Sequence, residues 1–314
     1  MSFMPRSRGL EWGCICRAAL CTALAVAVAA WPALADDREP VEGPTPEQAP
    51  PADALEAVPS YWHLIPAYQD VPEYTWYYGC SPTAAGMLLA WWDAQPGRHN
   101  LFDGDASAWY GNGEFGTKRM VASTAHQVAG AENGYTYGDW HKSSSYPDHE
   151  ANPSCLADFM QTVDAATYRN RIASGLRDFA AWDDPTTAVS ESYAAVARTY
   201  YTFDGWGFED FKAEIAAGRP VHLGITSHSV LAFGWWDLST PADPDNYGYV
   251  CYTTWSGWGM RQWRWDGQNV PDERSVYAAT YLYVVPEPHL LGLILVGALV
   301  PLLRRVRRPR TKPL

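Results

Sequence analysis

A thiol becomes a nucleophile where its surroundings favour the thiolate, and one segment of this chain offers such surroundings. It reads Tyr77-Tyr78-Gly79-Cys80-Ser81-Pro82-Thr83-Ala84-Ala85-Gly86-Met87-Leu88-Leu89-Ala90-Trp91-Trp92-Asp93. Ser81 suits an N-cap, Pro82 suits a first helical position, and Ala84, Met87, Leu88 and Trp91 recur at i, i+3, i+4, i+7. The pattern predicts a helix that starts just after Cys80 and buries one face. Unpaired N–H groups and the positive dipole end at such a start stabilise a thiolate. On this segment alone, a small core cysteine is the competing reading.

A thiol nucleophile also needs a base, and the base needs a group that holds it in the right tautomer. Of eight histidines, His99, His126, His141 and His149 fall in polar loop or helix surroundings. His289 is near the C-terminus, His63 precedes the core proper, and His222 lies on the first strand after Pro220. His228 differs: it follows a turn at Thr226-Ser227 and opens the apolar run Ser229-Val230-Leu231-Ala232-Phe233-Gly234. That places it at a strand edge.

The elements that must carry these residues fall into two halves. The first is helical: the Cys80 segment, Lys118 to Ala131 and Leu156 to Ala166, with Asn133 to Pro153 as a polar surface loop. The second begins with a short amphipathic helix from Phe208 to Ala217, closed by Gly218. Strand patterns follow at Val221 to Ile225, His228 to Trp235, Tyr247 to Trp255, Met260 to Trp265 and Ser275 to Val285. Helices first and an antiparallel sheet second make an α+β domain over residues 59–285, with Cys80 and His228 on different halves. The loop residues Asp243, Asp245 and Asn246 match no complete calcium loop, and His141, Asp148 and His149 match no structural zinc spacing. No cofactor or metal is expected, and phosphate-loop and dinucleotide fingerprints are absent.

Read together, Gly79-Cys80-Ser81-Pro82-Thr83, the run His228-Ser229-Val230 to Gly234-Trp235-Trp236-Asp237, and Thr253-Thr254-Trp255 resemble a papain-like cysteine peptidase. The likeness is to the branch of bacteriocin-leader-processing (double-glycine) peptidases, and it spans roughly residues 71–265. It implies a helical half carrying the Cys packed on an antiparallel sheet half carrying the His, with a peptide or protein substrate. Cys80 becomes the nucleophile and His228 the general base. The family's orienting Asn or Asp slot holds Thr253, whose hydroxyl accepts a hydrogen bond but carries no charge. The family's oxyanion Gln slot holds Trp76, an N–H donor. Tyr74 and Gln69 are the other residues near that slot, and Asp237 lies nine residues along the His strand, roughly 30 Å away if extended. A catalytically impaired surface or matrix binding protein with the same fold is the alternative.

The ends of the 314-residue chain set its compartment. Arg6, Arg8 and Arg17, an apolar run from Ala18 to Ala30 and Ala33-Leu34-Ala35 read as a signal peptide over residues 1–35. Residues 36–58 form an acidic, Pro-rich linker. Residues 286–314 resemble a PEP-CTERM sorting signal: Pro286-Glu287-Pro288, an apolar run from Leu290 to Leu303, and Arg304, Arg305, Arg307, Arg308 and Arg310. That resemblance implies an exosortase-type partner, a membrane helix before processing, and a place in the cell envelope or on its surface. Removal of the signal leaves Cys80, Cys155 and Cys251. An odd count leaves at least one thiol unpaired within the chain, so either a Cys155–Cys251 disulfide or buried thiols fit. The chain's net charge is −12. Three arginines and one glutamate leave with the signal, and six basic residues belong to the tail. With Glu287 of the tail also set aside, what remains has 14 basic and 33 acidic residues, about −19, which repels phosphate backbones and excludes a nucleic-acid partner.

Overall fold

The computed structural model describes residues 58–96, 98, 101, 102, 106, 107, 117–122, 155–162, 165–182, 193–255, 257–270 and 274–285. The signal peptide, most of the linker, the sorting tail, the 133–153 loop, His99, His126 and His289 lie outside the described residues. Within them, helix α1 is Cys80–Asp93, α2 Thr117–Val121, α3 Leu156–Phe159, α4 Arg169–Ala180 and α5 Phe208–Ala216. The strands are β1 His63–Leu64, β2 Ala195–Tyr201, β3 Val221–Ile225, β4 His228–Asp237, β5 Tyr247–Tyr252, β6 Met260–Arg264 and β7 Val276–Val284. They form one antiparallel sheet in the order β2-β7-β3-β4-β5-β6. Strand β1 takes over the β3 edge of β4 where β3 stops, pairing Leu64 with Gly234 and His63 with Trp235. The fold is α+β, with α1 to α4 preceding every strand but the two-residue β1, and α5 falling between β2 and β3.

Helix α1 is buried from Cys80 to Trp92. The expected single apolar face is corrected: a helix apolar all round is a core helix and must be covered on every side. It packs on β4 and β3, against α4, and against α2 and α3. Gly86 permits the α2 contact, since a Cβ there would sit 2.8 Å from Val121 Cγ2. The helix also starts earlier than its sequence suggested. Gly79 (φ 125°) is the N-cap and Cys80 the first helical residue, which leaves Ser81 inside the first turn. Pro82 is accommodated because first-turn N–H groups have no helical acceptor anyway.

Other expectations shift as well. The helix expected from Leu156 to Ala166 stops at Phe159, where Gln161 and Ala165 take positive φ. Helix α4 and strand β2 were not foreseen. Gly175 and Ser174 argue against a helix locally, but Ile172, Leu176 and Phe179 bury one face, and Gly175 lets Met160 approach to backbone contact. Cys80, Cys155 and Cys251 are all buried thiols, so no Cys155–Cys251 disulfide forms. Cys155 caps α3 and Cys251 lies inside β5. His63 is not outside the core architecture, because it stacks on Trp235 with ring centroids 3.8 Å apart.

Helix α5 packs on β4 and β3. Phe208 meets Tyr247 at 4.4 Å between centroids, and Glu214 accepts a 2.9 Å bond from the Tyr283 hydroxyl. Alternation places Tyr247, Trp235 and Tyr283 on the face opposite His222 and Ser229, so α1 and α5 flank the sheet. Among the described residues no helix is long and apolar enough to cross a membrane.

At Gly248 the β5–β6 ladder leaves no room for a side chain, because a Cβ would collide with the Trp263 carbonyl. Gly248→Ala is expected to destabilise the protein by about 2 kcal/mol or more, lowering the urea midpoint without changing the far-UV spectrum of the fraction that folds.

Candidate active site

The segment ahead of α1 is built by one side chain. Thr83 Oγ1 accepts from the Tyr77 N–H at 3.0 Å and donates to the Gly79 carbonyl at 2.7 Å. Three residues of pre-helical backbone are thereby held against the first turn, and Cys80 is presented at the helix start. Gly79 is required twice: its φ of 125° excludes side chains, and a Cβ would lie 2.9 Å from the Ala165 carbonyl.

The helix start meets the sheet through hydroxyls. Ser81 Oγ and Ser229 Oγ are 2.9 Å apart, so the residue after the thiol and the residue after the imidazole are bonded to each other. The His222 ring lies against the Ser81 main chain. Cys80, Ser81, His228 and Ser229 are all fully buried.

His228 Nε2 lies 2.8 Å from the Thr253 carbonyl oxygen. A carbonyl only accepts, so the ring carries its proton on Nε2 and has its lone pair on Nδ1. The imidazole also stacks on Trp255, with centroids 4.5 Å apart at 14°. Thr253, expected to meet the ring through its hydroxyl, meets it through its main-chain carbonyl. Its hydroxyl is used elsewhere, accepting from the Trp255 N–H at 3.2 Å. Asp237 sits exposed at the far end of β4, where it accepts from the Ser239 N–H. Trp76 is half-buried, and its main-chain N–H bonds to the Thr254 carbonyl. The Cys80 loop and the Thr253 loop thus run side by side. Tyr74 is committed to the core, its hydroxyl donating to the Ala106 carbonyl at 2.5 Å. Gln69 belongs to a 3-10 turn before the loop.

Backbone strain gathers at the same place. Five described residues other than glycine have positive φ, and three of them flank the candidate residues: Tyr78 (52°), Ser227 (56°) and Thr254 (69°). Such conformations cost on the order of 1 kcal/mol or more each and persist where surrounding contacts over-determine them.

His222 was the residue whose role the sequence did not reveal. It sits next to the α1 start, and its Nε2 is buried with no hydrogen-bond partner among the described residues. The signal available was its place one strand before His228, which alone does not distinguish a core ring from a site ring. Both rings are kept neutral. Burial pulls His228 down to about 3 against the opposing pull of the Thr253 carbonyl, with the Arg274 and His222 charges adding to the fall. Burial likewise pulls His222 down to about 4, opposed by the main chain of Ser81 and its own backbone. Among the described residues no three His, Cys, Asp or Glu side chains cluster as a metal site; His141, Asp148 and His149 lie outside them. No family model, curated protein or solved structure matches the chain.

The two depressed rings set the pH behaviour of the fold. Below about pH 6.5 the unfolded chain takes up protons that the native rings refuse until pH 4 or lower, so stability is complete above pH 6.5 and falls on acidification. Each ring contributes a slope of up to about 1.4 kcal/mol per pH unit in that window. In urea unfolding between pH 7 and 5, His222→Gln is expected to flatten the slope by the share of one ring. An unchanged slope would mean that His222 is protonated or exposed in the native state. Thr83→Val removes both loop bonds and is expected to cost about 1–3 kcal/mol in the same assay.

Proposed function

We propose that this chain is an exported thiol hydrolase of papain-like type, with Cys80 as nucleophile and His228 as general base, acting on peptide or related amide bonds. The observation that carries the reading is the His228 Nε2 bond to the Thr253 carbonyl. It fixes the tautomer whose Nδ1 can accept a thiol proton, the task that a side-chain carboxamide or carboxylate performs in the resembled family. The Ser81–Ser229 bond joins the two motifs, and Cys80 as the first helical residue gains the thiolate-favouring end of α1. In the acylation step the Cys80 sulfur bonds to the amide carbon, and the thiol proton passes to His228 and then to the departing amine. Water completes the cycle by displacing the sulfur. The main-chain N–H of Cys80 and the indole N–H of Trp76 are the donors proposed for the oxyanion. Sorting to the envelope by the tail, through an exosortase-type partner and a membrane stage, belongs to the same proposal.

A second reading is favoured by a different observation. Cys80 and His228 are both fully buried, and the ring's strongly lowered pKa opposes the imidazolium that a thiolate pair needs. On that reading the same architecture serves as a surface or matrix binding protein with catalysis lost.

Iodoacetamide labelling and a fluorogenic peptide library separate the two. The hydrolase is expected to label at Cys80 faster than a peptide thiol and to lose roughly 100-fold or more activity in His228→Ala. Thr253→Val, which keeps the carbonyl, is expected to stay within a few fold of the parent. Labelling at the rate of an ordinary thiol, unaffected by His228→Ala and without turnover, would overturn the hydrolase in favour of the binding protein.

A further inference from the structure

On the α5 side of the sheet lies a cavity of about 420 Å³ that shares no lining residue with the candidate active site. That volume is in the range of small-ligand sites. Its walls are aromatic, from Tyr200, Tyr201, Trp206 and Tyr281, and three carboxylates line it, Asp204, Asp210 and Glu214, with no basic residue among the lining side chains. The aromatic wall is fixed: the Trp206 indole donates to the Tyr281 hydroxyl at 2.6 Å, and Tyr200 packs on Tyr281 at 4.9 Å. Tyr281 is only 6% exposed. Outside, Phe203 is 67% exposed yet stacks flat on Tyr201, with centroids 4.9 Å apart at 17°. An exposed phenyl ring stacked on a half-buried tyrosine beside a carboxylate-lined hollow is a poor use of surface unless something covers it.

The carboxylates are unequally committed. Glu214 is held by Arg219 at 2.7 Å and by the Tyr283 hydroxyl. Asp210 gives one oxygen to the Gly207 N–H at the start of α5, and Asp204 is exposed on the turn after β2. Two carboxylates and one neutralised by Arg219 leave a net negative hollow in a chain already strongly acidic. An uncharged ligand would leave that charge uncompensated, whereas a cation over indole and phenol faces gains both the Coulomb and the cation–π attraction.

We propose that this cavity binds an organic cation, a guanidinium or ammonium group on an apolar stem, of the kind carried by arginine or lysine side chains of a peptide or by a free diamine. Asp204 and Asp210 supply the charge, Trp206, Tyr200 and Tyr281 the face on which the stem lies, and the Phe203–Tyr201 pair a lip. The proposal does not depend on any activity of Cys80.

Tryptophan fluorescence and titration calorimetry on the full chain test it, with N-acetyl-arginine amide, agmatine and the uncharged isostere N-acetyl-citrulline amide as probes. Saturable binding of either cation, weakened by added salt and absent for the citrulline compound, is expected. Preference for the arginine amide over agmatine points to a peptide source, the reverse to a free amine. Asp204→Asn with Asp210→Asn, the latter keeping an oxygen for the Gly207 N–H, is expected to weaken binding roughly five- to tenfold, and Phe203→Ala to weaken it without altering the melting temperature. Equal binding of the citrulline amide, tighter binding of a neutral disaccharide such as cellobiose, or no saturable binding at millimolar probe would overturn it.

Discussion

A helix with no face toward water governs this fold. From Cys80 to Trp92 every residue of α1 is buried, so its polar groups must find partners inside the protein. The first turn is the hardest place to do this, because its N–H groups lack helical acceptors and two hydroxyls, Ser81 and Thr83, are buried beside them. Thr83 is answered by the loop before the helix and Ser81 by Ser229 on the sheet. Each of these contacts satisfies a group that would otherwise cost about 1–3 kcal/mol. Together they set where the Cys80 backbone lies.

The sheet answers the same constraint from the other side. His228 cannot be charged in a buried position without a partner, so it is held neutral, with its one N–H given to a carbonyl and its ring to Trp255. Keeping the Thr253 carbonyl turned toward the ring bends the following residue into the left-handed region at Thr254. The turn before His228 does the same at Ser227, and the loop before Cys80 at Tyr78. Strain at all three positions persists because the surrounding contacts over-determine the backbone there. The face of the sheet that α5 covers has another chemistry, with Trp206, Tyr281 and the carboxylates of α5 and its approach forming a negative, aromatic hollow.

Much of the architecture was legible from periodicity and punctuation. The apolar runs after Pro220, separated by turn residues, mark β3 to β7 within a residue or three of their ends, because buried strands leave long, unambiguous patterns. Helix α4 and strand β2 escaped notice for a physical reason. Arg169 to Ala180 carries polar and helix-weak residues whose cost is met only by packing on β2 and α3, and β2 is an edge strand with an exposed side. The helix start was displaced by two residues because Ser81 is as good a cap as any by composition, while the protein spends its hydroxyl on Ser229 instead.

The sequence by itself determined the chemistry on offer: a thiol near a helix start, a histidine at a strand start, Thr253 and Trp76 in the slots that a resemblance marks, and an acidic, aromatic chain. Tertiary structure decided which atoms those residues present. It turned the main-chain carbonyl of Thr253 rather than its hydroxyl toward the His228 ring, brought His222 to the α1 start, and left Cys155 and Cys251 as separate thiols. It also drew Tyr200, Trp206, Asp210 and Tyr281 around one hollow. Local patterns report which face a residue turns, but a hydrogen bond between residues 148 apart, such as Ser81 and Ser229, exists only once the sheet register has closed.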